Sequence, residues 1–126
     1  MADRILMIED DAHLAAMVSE YLAGNGFEVT VAPRAERGLA LFENGSFQAV
    51  LLDVMLPDLD GLEVCRRIRA RKQLESVRLI TMTARHNPEV VQQSLKAGAV
   101  ACLAKPFEVQ ELLDLFRIPM ALGARK

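Results

Sequence analysis

The sequence predicts an α/β domain: a doubly wound, five-stranded parallel sheet, strand order 2-1-3-4-5, covered by helices on both faces. Two observations carry this expectation. Short apolar runs alternate with longer stretches of helical period, five of each, without a linker, an internal repeat or a block of like charge. The runs are rich in Ile, Leu and Val at successive positions, as in parallel strands buried on both faces. Right-handed crossovers then leave few ways to wind the chain.

Arg4 to Ile8 (RILMI) reads as the first strand, bounded by Glu9-Asp10-Asp11. Leu14, Met17, Val18, Tyr21 and Leu22 then fall at i, i+3, i+4, i+7 and i+8, one face of a helix. Gly24-Asn25-Gly26 stops it, and Phe27 to Val31 forms the second strand. Ala35, Leu39 and Phe42 mark the second helix, closed by Asn44-Gly45. Ala49 to Leu52 is a fully apolar third strand ending at Asp53. Leu62, Cys65 and Ile68 carry the third helix, with Arg66, Arg67, Arg69, Arg71 and Lys72 expected on its solvated face. Val77 to Met82 is the fourth strand, and Val90, Val91, Ser94 and Leu95 mark the fourth helix. Val100 to Ala104 is a weaker fifth strand. Val109, Leu112, Leu113 and Phe116 form the last stripe, which Pro119 should end or kink. The winding expected is therefore flavodoxin-like, (βα)5, with its ligand site beyond the carboxyl ends of the strands.

A chain of 126 residues suits one domain spanning 1–126 and leaves no room for receptor, catalytic and DNA-binding domains together. Hydrophobic residues make up 52%, which excludes disorder. Fifteen Lys and Arg against seventeen Asp and Glu give a net charge of −2, so no broad positive field draws the chain onto nucleic acid. Cys65 and Cys102 have no zinc or CxxC spacing and are expected as buried small hydrophobes. Gly24-Asn25-Gly26 follows a helix and lacks a third glycine, which argues against a dinucleotide loop. His13 and His86 lack metal-ligand spacing and are expected to face solvent. The N-terminus carries no basic leader, and no apolar run approaches the ~20 residues that span a bilayer. A cytoplasmic domain without membrane contact is expected.

The strand ends carry the chemistry. Glu9, Asp10 and Asp11 end the first strand, Asp53 the third, Thr83-Ala84 the fourth and Lys105-Pro106 the fifth, so all emerge at one sheet edge. Singly, each has an ordinary reading: helix caps for the acids, a turn for Asp53 with Pro57 and Gly61, a common loop dipeptide for Lys-Pro. Together they differ. Asp10 and Asp53, with Glu9 beside them, would repel one another without a cation. Few carboxylates with open positions left over suit Mg²⁺, which keeps several waters. A lysine and a hydroxyl nearby complete the parts that stabilise phosphoryl transfer onto a carboxylate, here Asp53.

These residues resemble the receiver domains of two-component response regulators, the CheY-like superfamily. The resemblance runs from Ile5-Leu6-Met7-Ile8-Glu9-Asp10-Asp11 through Asp53-Val54-Met55-Leu56-Pro57-Asp58-Leu59-Asp60-Gly61 to Lys105-Pro106-Phe107. It implies that Asp53 accepts phosphate from a histidine kinase or histidine phosphotransfer protein. It further implies Mg²⁺ at Asp10, Asp53 and the Met55 carbonyl, with Glu9 acting through water. Thr83 and Lys105 would contact the phosphoryl group, the Lys105–Pro106 bond would be cis, and Arg85 and Met55 would tune phosphate lifetime. Such a domain signals to a downstream protein target or a fused output domain and catalyses only its own modification.

The pattern departs in one region. Receivers usually carry an aromatic residue in the fifth strand, where this chain has Cys102, too small to swing between two pockets. Val91, Val100 and Ala101 replace charges often found on the neighbouring face, so a monomer or weak dimer is expected. Two other functions stay open. An aspartyl-phosphate phosphatase would place its nucleophile on the first strand and add a cap domain. A phosphorylation-independent interaction module would keep the scaffold without using the site.

Overall fold

Alternation along the strands divides the apolar residues between two cores. The computed structural model describes residues 3–71 and 77–117. On β1 (Asp3–Ile8), Ile5 and Met7 face one layer while Leu6 and Ile8 face the other. β3 (Ala49–Asp53) and β4 (Arg78–Thr83) are buried along their whole length. β2 (Phe27–Ala32) and β5 (Ala101–Ala104) form the edges, so the order is β2-β1-β3-β4-β5 with every pair parallel. This is the doubly wound topology expected from the sequence.

Helices α2 (Ala35–Asn44) and α3 (Gly61–Arg69) cover the core built on Leu6, Ile8, Val50, Leu52 and Leu79. α4 (Pro88–Lys96) lies beside α3 on the same layer, and its only fully buried residue is Ser94. α1 (Ala12–Ala23) and α5 (Val109–Arg117) cover the opposite core, supplying Ala15, Val18, Leu22, Leu112 and Leu113. Each fully buried Leu or Ile contributes about 1.5–3 kcal/mol relative to exposure, so the paired cores dominate stability. Among the described residues no helix is long and apolar enough to cross a membrane.

Several expectations need correction. Met17 is 50% exposed, and the smaller Ala15 takes the buried place on α1. Leu95 and Val100 are likewise exposed, and β5 begins at Ala101. Arg69 is half-buried rather than solvated, its Nε donating to the Gly98 carbonyl at 3.0 Å, while Arg71 stays partly exposed and pairs with Glu43. Cys102 is only half-buried, whereas Cys65 is buried and desolvation pushes its thiol up to about 12. Lys72 and Pro119 lie outside the described residues.

The caps show how loops are tied down. Asp11 Oδ1 accepts from the amides of His13 and Leu14, which start α1, and Asp60 and Asn87 cap α3 and α4 in the same way. Arg34, at the start of α2, provides no such bond. Asp58, in the β3–α3 loop, replaces it, accepting from Ala35 N at 2.9 Å and Glu36 N at 3.0 Å. The bonds to Glu36 and Ala35 hold the Asp58 carboxyl below its ordinary range. A carboxyl lowered by folding stabilises above its unfolded pKa, and that contribution fades as pH falls through the folded value. Asp58→Ala should therefore melt a few degrees below wild type at neutral pH, the gap closing below the ordinary 3.8. Thermal melts followed by circular dichroism across that range check this, and equal Tm at neutral pH would remove Asp58 as a cap.

Candidate functional site

Strand register brings the polar ends together. Ile8 pairs with Leu52 and Asp53 with Met82, so Glu9-Asp10, Asp53 and Thr83 leave the sheet at one edge. β5 delivers Lys105 to that edge, where its amide donates to the Thr83 carbonyl at 2.8 Å. The Lys105–Pro106 peptide is cis, as the sequence resemblance implied.

The Lys105 side chain is the centre of the arrangement. Its Nζ lies 2.6 Å from Asp53 Oδ2 and 2.7 Å from Glu9 Oε1, bonding carboxylates that are 52 and 96 residues away in the chain. Asp53 Oδ1 accepts from Met55 N at 2.8 Å, and Glu9 Oε2 from Asp11 N at 3.0 Å. Glu9 and Asp53 are both buried, while Asp10 is exposed. One carboxylate oxygen from each of Glu9, Asp10 and Asp53 lies within 4.8 Å of the others.

Charge in this cluster is unbalanced. Burial raises the Glu9 carboxyl above its ordinary value, outweighing the bonds from Lys105 and Asp11 that favour the anion. Burial also disfavours the Lys105 ammonium, but its bonds to Asp53 and Glu9 prevail and raise it. Three clustered carboxylates thus face one lysine, which bonds only Glu9 and Asp53, a surplus of two negative charges when all are ionised. All the donors are hard oxygens, and this set could hold a divalent cation such as Mg²⁺.

Thr83 stands at the same edge but does not join the lysine cluster. The residue is buried, and its hydroxyl accepts from Arg85 N at 3.0 Å, leaving its own proton to donate. The Met55 side chain is exposed, 53%, beside Asp53. His13 is exposed, as expected. His86 is exposed too, yet its ring Nε2 donates to the Cys102 carbonyl at 3.0 Å, a partner the sequence does not reveal.

Gly61 shapes the floor of the site. Its amide donates to the Val54 carbonyl at 2.8 Å, holding the start of α3 against the end of β3. A Cβ added here would press on the Asp53 carbonyl oxygen and come within 2.7 Å of Val54 Cα. The residue is thus glycine because two backbones meet. In the sequence it reads as part of a turn and as one residue of the motif that carries the resemblance, without the backbone contact that demands a glycine.

Comparisons with known proteins agree with this geometry. The family model described as "Response regulator receiver domain" matches residues 5–117. "Response regulator MprA" of Mycobacterium sp. (strain KMS) is 38% identical over 117 residues, covering 93% of this chain and 50% of that protein. The protein of the same name in Mycolicibacterium vanbaalenii matches equally. The chain spans about half the length of the curated relatives it matches. Among solved structures, a CheY-like receiver domain protein from Methanospirillum hungatei JF-1 superposes with TM-score 0.85 at 33% identity, covering 93% of this chain and 92% of that one. Chemotaxis response regulator CheY4 of Vibrio cholerae gives 0.87 at 27% identity, with 93% and 98% covered. A family match over nearly the whole described fold, together with close superposition on receiver structures, settles the relationship: the chain belongs to the response regulator receiver domain family of two-component signalling.

Proposed function

We propose that residues 1–126 form one receiver domain in which Asp53 is the phosphoacceptor, taking a phosphoryl group from a histidine kinase or histidine phosphotransfer protein. The observation that carries this reading is the single Lys105 ammonium held between Asp53 and Glu9 in a cluster with excess negative charge. An Asp53 carboxylate oxygen forms the new O–P bond as the P–N bond of the donor phosphohistidine breaks. The electron pair leaves on the imidazole nitrogen. Lys105, bonded to Asp53 Oδ2 at rest, moves onto a phosphoryl oxygen, and the Thr83 proton donates to another. Asp10, Asp53 and the Met55 carbonyl would hold Mg²⁺, with Glu9 acting through water; when bound, the ion neutralises charge on the phosphoryl oxygens.

Magnitudes favour a switch. Moving a two-state domain from 1:99 to 99:1 needs about 5.5 kcal/mol of differential binding. Charge-assisted hydrogen bonds contribute about 1.5–3 kcal/mol each, so two or three new bonds from Lys105, Thr83 and a backbone amide suffice. The change reaches α4, β5 and α5 and through them a downstream protein target or a fused output domain, in the cytoplasm, with the domain a monomer or weak dimer.

The test is intact-mass spectrometry after incubation with acetyl phosphate, with Mg²⁺ or with EDTA. A gain of one phosphoryl group that needs Mg²⁺ is expected. Steady release of inorganic phosphate would indicate a phosphatase, and an unmodified mass a phosphorylation-independent interaction module.

A further inference from the structure

Between Thr83 and α4 the chain makes two contacts that the phosphoacceptor role does not use. The amide of Arg85 donates to the Thr83 hydroxyl at 3.0 Å, and the ring of the next residue, His86, reaches the Cys102 carbonyl at 3.0 Å. A carbonyl only accepts, so Nε2 carries the proton in this contact. Cys102 pairs in register with Thr81, and Ala104 with Thr83, so the ring bonds the strand next to the one that ends in Thr83. Residues 83–86 are therefore pinned at both ends, to the Thr83 hydroxyl and to β5.

The helix after this loop is lightly held. Ser94 is the one buried residue of α4, and its hydroxyl bonds to Thr81 Oγ1 at 3.0 Å rather than entering an apolar socket. Leu95 is half exposed. When Thr83 turns toward a new partner, the Arg85 amide either moves with it or loses its acceptor. Both movements act on His86, the adjacent residue.

We infer that His86 is a positioning residue, a clasp whose ring N–H on the Cys102 carbonyl holds the β4–α4 loop in its resting place and lets go when Thr83 turns to a phosphoryl group. This inference rests on the proposed phosphoacceptor role of Asp53. A contact made only at rest opposes the switch, because a ligand shifts a two-state equilibrium by its difference in affinity for the two states.

The experiment uses beryllofluoride with Mg²⁺ as the phosphoryl mimic, followed by NMR of backbone amides and of the imidazole nitrogens. In the wild type the His86 Nε2 resonance should shift together with the Thr83 amide. His86→Ala should lower the half-saturating beryllofluoride concentration by about 2–5-fold, roughly the factor that one exposed hydrogen bond is worth. His86→Gln, which keeps an N–H donor, should return it toward the wild-type value, a rescue that simple loss of stability would not produce. A His86 resonance that stays still while Thr83 moves overturns the clasp. So does an unchanged or raised half-saturation in His86→Ala. If no amide around Asp53 responds in the wild type, the phosphoacceptor reading itself fails and the clasp falls with it.

Discussion

Asp53→Ala is expected to abolish phosphoryl incorporation completely while leaving the sheet folded. In the proposed reading neither neighbour inherits the role, because Glu9 is more deeply buried than Asp53 and Asp10, exposed beyond the end of β1, would serve as a metal ligand. The effect on stability is a balance of opposed changes. The substitution strips Met55 N of its acceptor, worth about 1 kcal/mol, and Lys105 of a charge-assisted bond worth about 1.5–3 kcal/mol. It also removes one of three crowded carboxylates and leaves the Lys105 ammonium wholly to Glu9. The opposing changes are of similar size, so Tm should move by only a few degrees. Intact mass after acetyl phosphate and Mg²⁺, run beside a thermal melt, checks both halves. A folded Asp53→Ala protein that still gains a phosphoryl group would refute the assignment of the acceptor.

The fold is legible in the sequence because its sheet is parallel. Strands buried on both faces must be apolar at successive positions, so β1, β3 and β4 stand out as short continuous runs. Helix faces are less legible. Ala15, Val18 and Leu22 define the buried arc of α1, and at ~3.6 residues per turn Met17 falls about 100° outside it. Hydrophobicity alone favours the larger side chain, but close approach of the helix to the sheet favours alanine.

The site is legible in its members and not in its contacts. Residues at the carboxyl ends of parallel strands share an edge whatever the loops do, which makes Glu9, Asp10, Asp53, Thr83 and Lys105 readable as a group. Which of them touch depends on side-chain reach. Lys105 spans Glu9 and Asp53, whereas Thr83 is taken up by its own loop. Contacts between loops leave less trace still. Asp58 caps a helix that begins 23 residues earlier, and the His86 ring meets a backbone carbonyl 16 residues later. Neither partner carries a distinctive residue type: one is a helix amide, the other a strand carbonyl. Local composition therefore marks Asp58 and His86 only as polar loop residues.

Gly61→Ala tests the closest of these backbone encounters and should be the most damaging single-methyl change near the site. The added Cβ meets the Asp53 carbonyl and Val54 Cα, both main-chain atoms at the end of a strand hydrogen-bonded on each side. No rotamer change relieves the overlap, so α3 must lift away from β3 or the end of β3 must tilt. Lifting α3 costs the Gly61–Val54 hydrogen bond and loosens Leu62, Val64, Cys65 and Ile68, all buried in one core. Overpacking typically costs about 1–3 kcal/mol, and an encounter with backbone falls at the upper end. For a domain of this size that lowers Tm by roughly 10 °C. Tilting β3 instead displaces Asp53 from Lys105, and a misplacement of about 1 Å can cost on the order of 100-fold in rate. Both routes predict a fall in the rate of modification by acetyl phosphate, because the strain acts on the peptide that carries Asp53. A thermal melt and a mass-detected time course distinguish them: a large loss of Tm with a modest rate defect indicates movement of α3, and the reverse indicates movement of β3. A Gly61→Ala protein with wild-type Tm and wild-type rate would show that the floor of the site yields without cost, and the steric role of Gly61 would have to be abandoned.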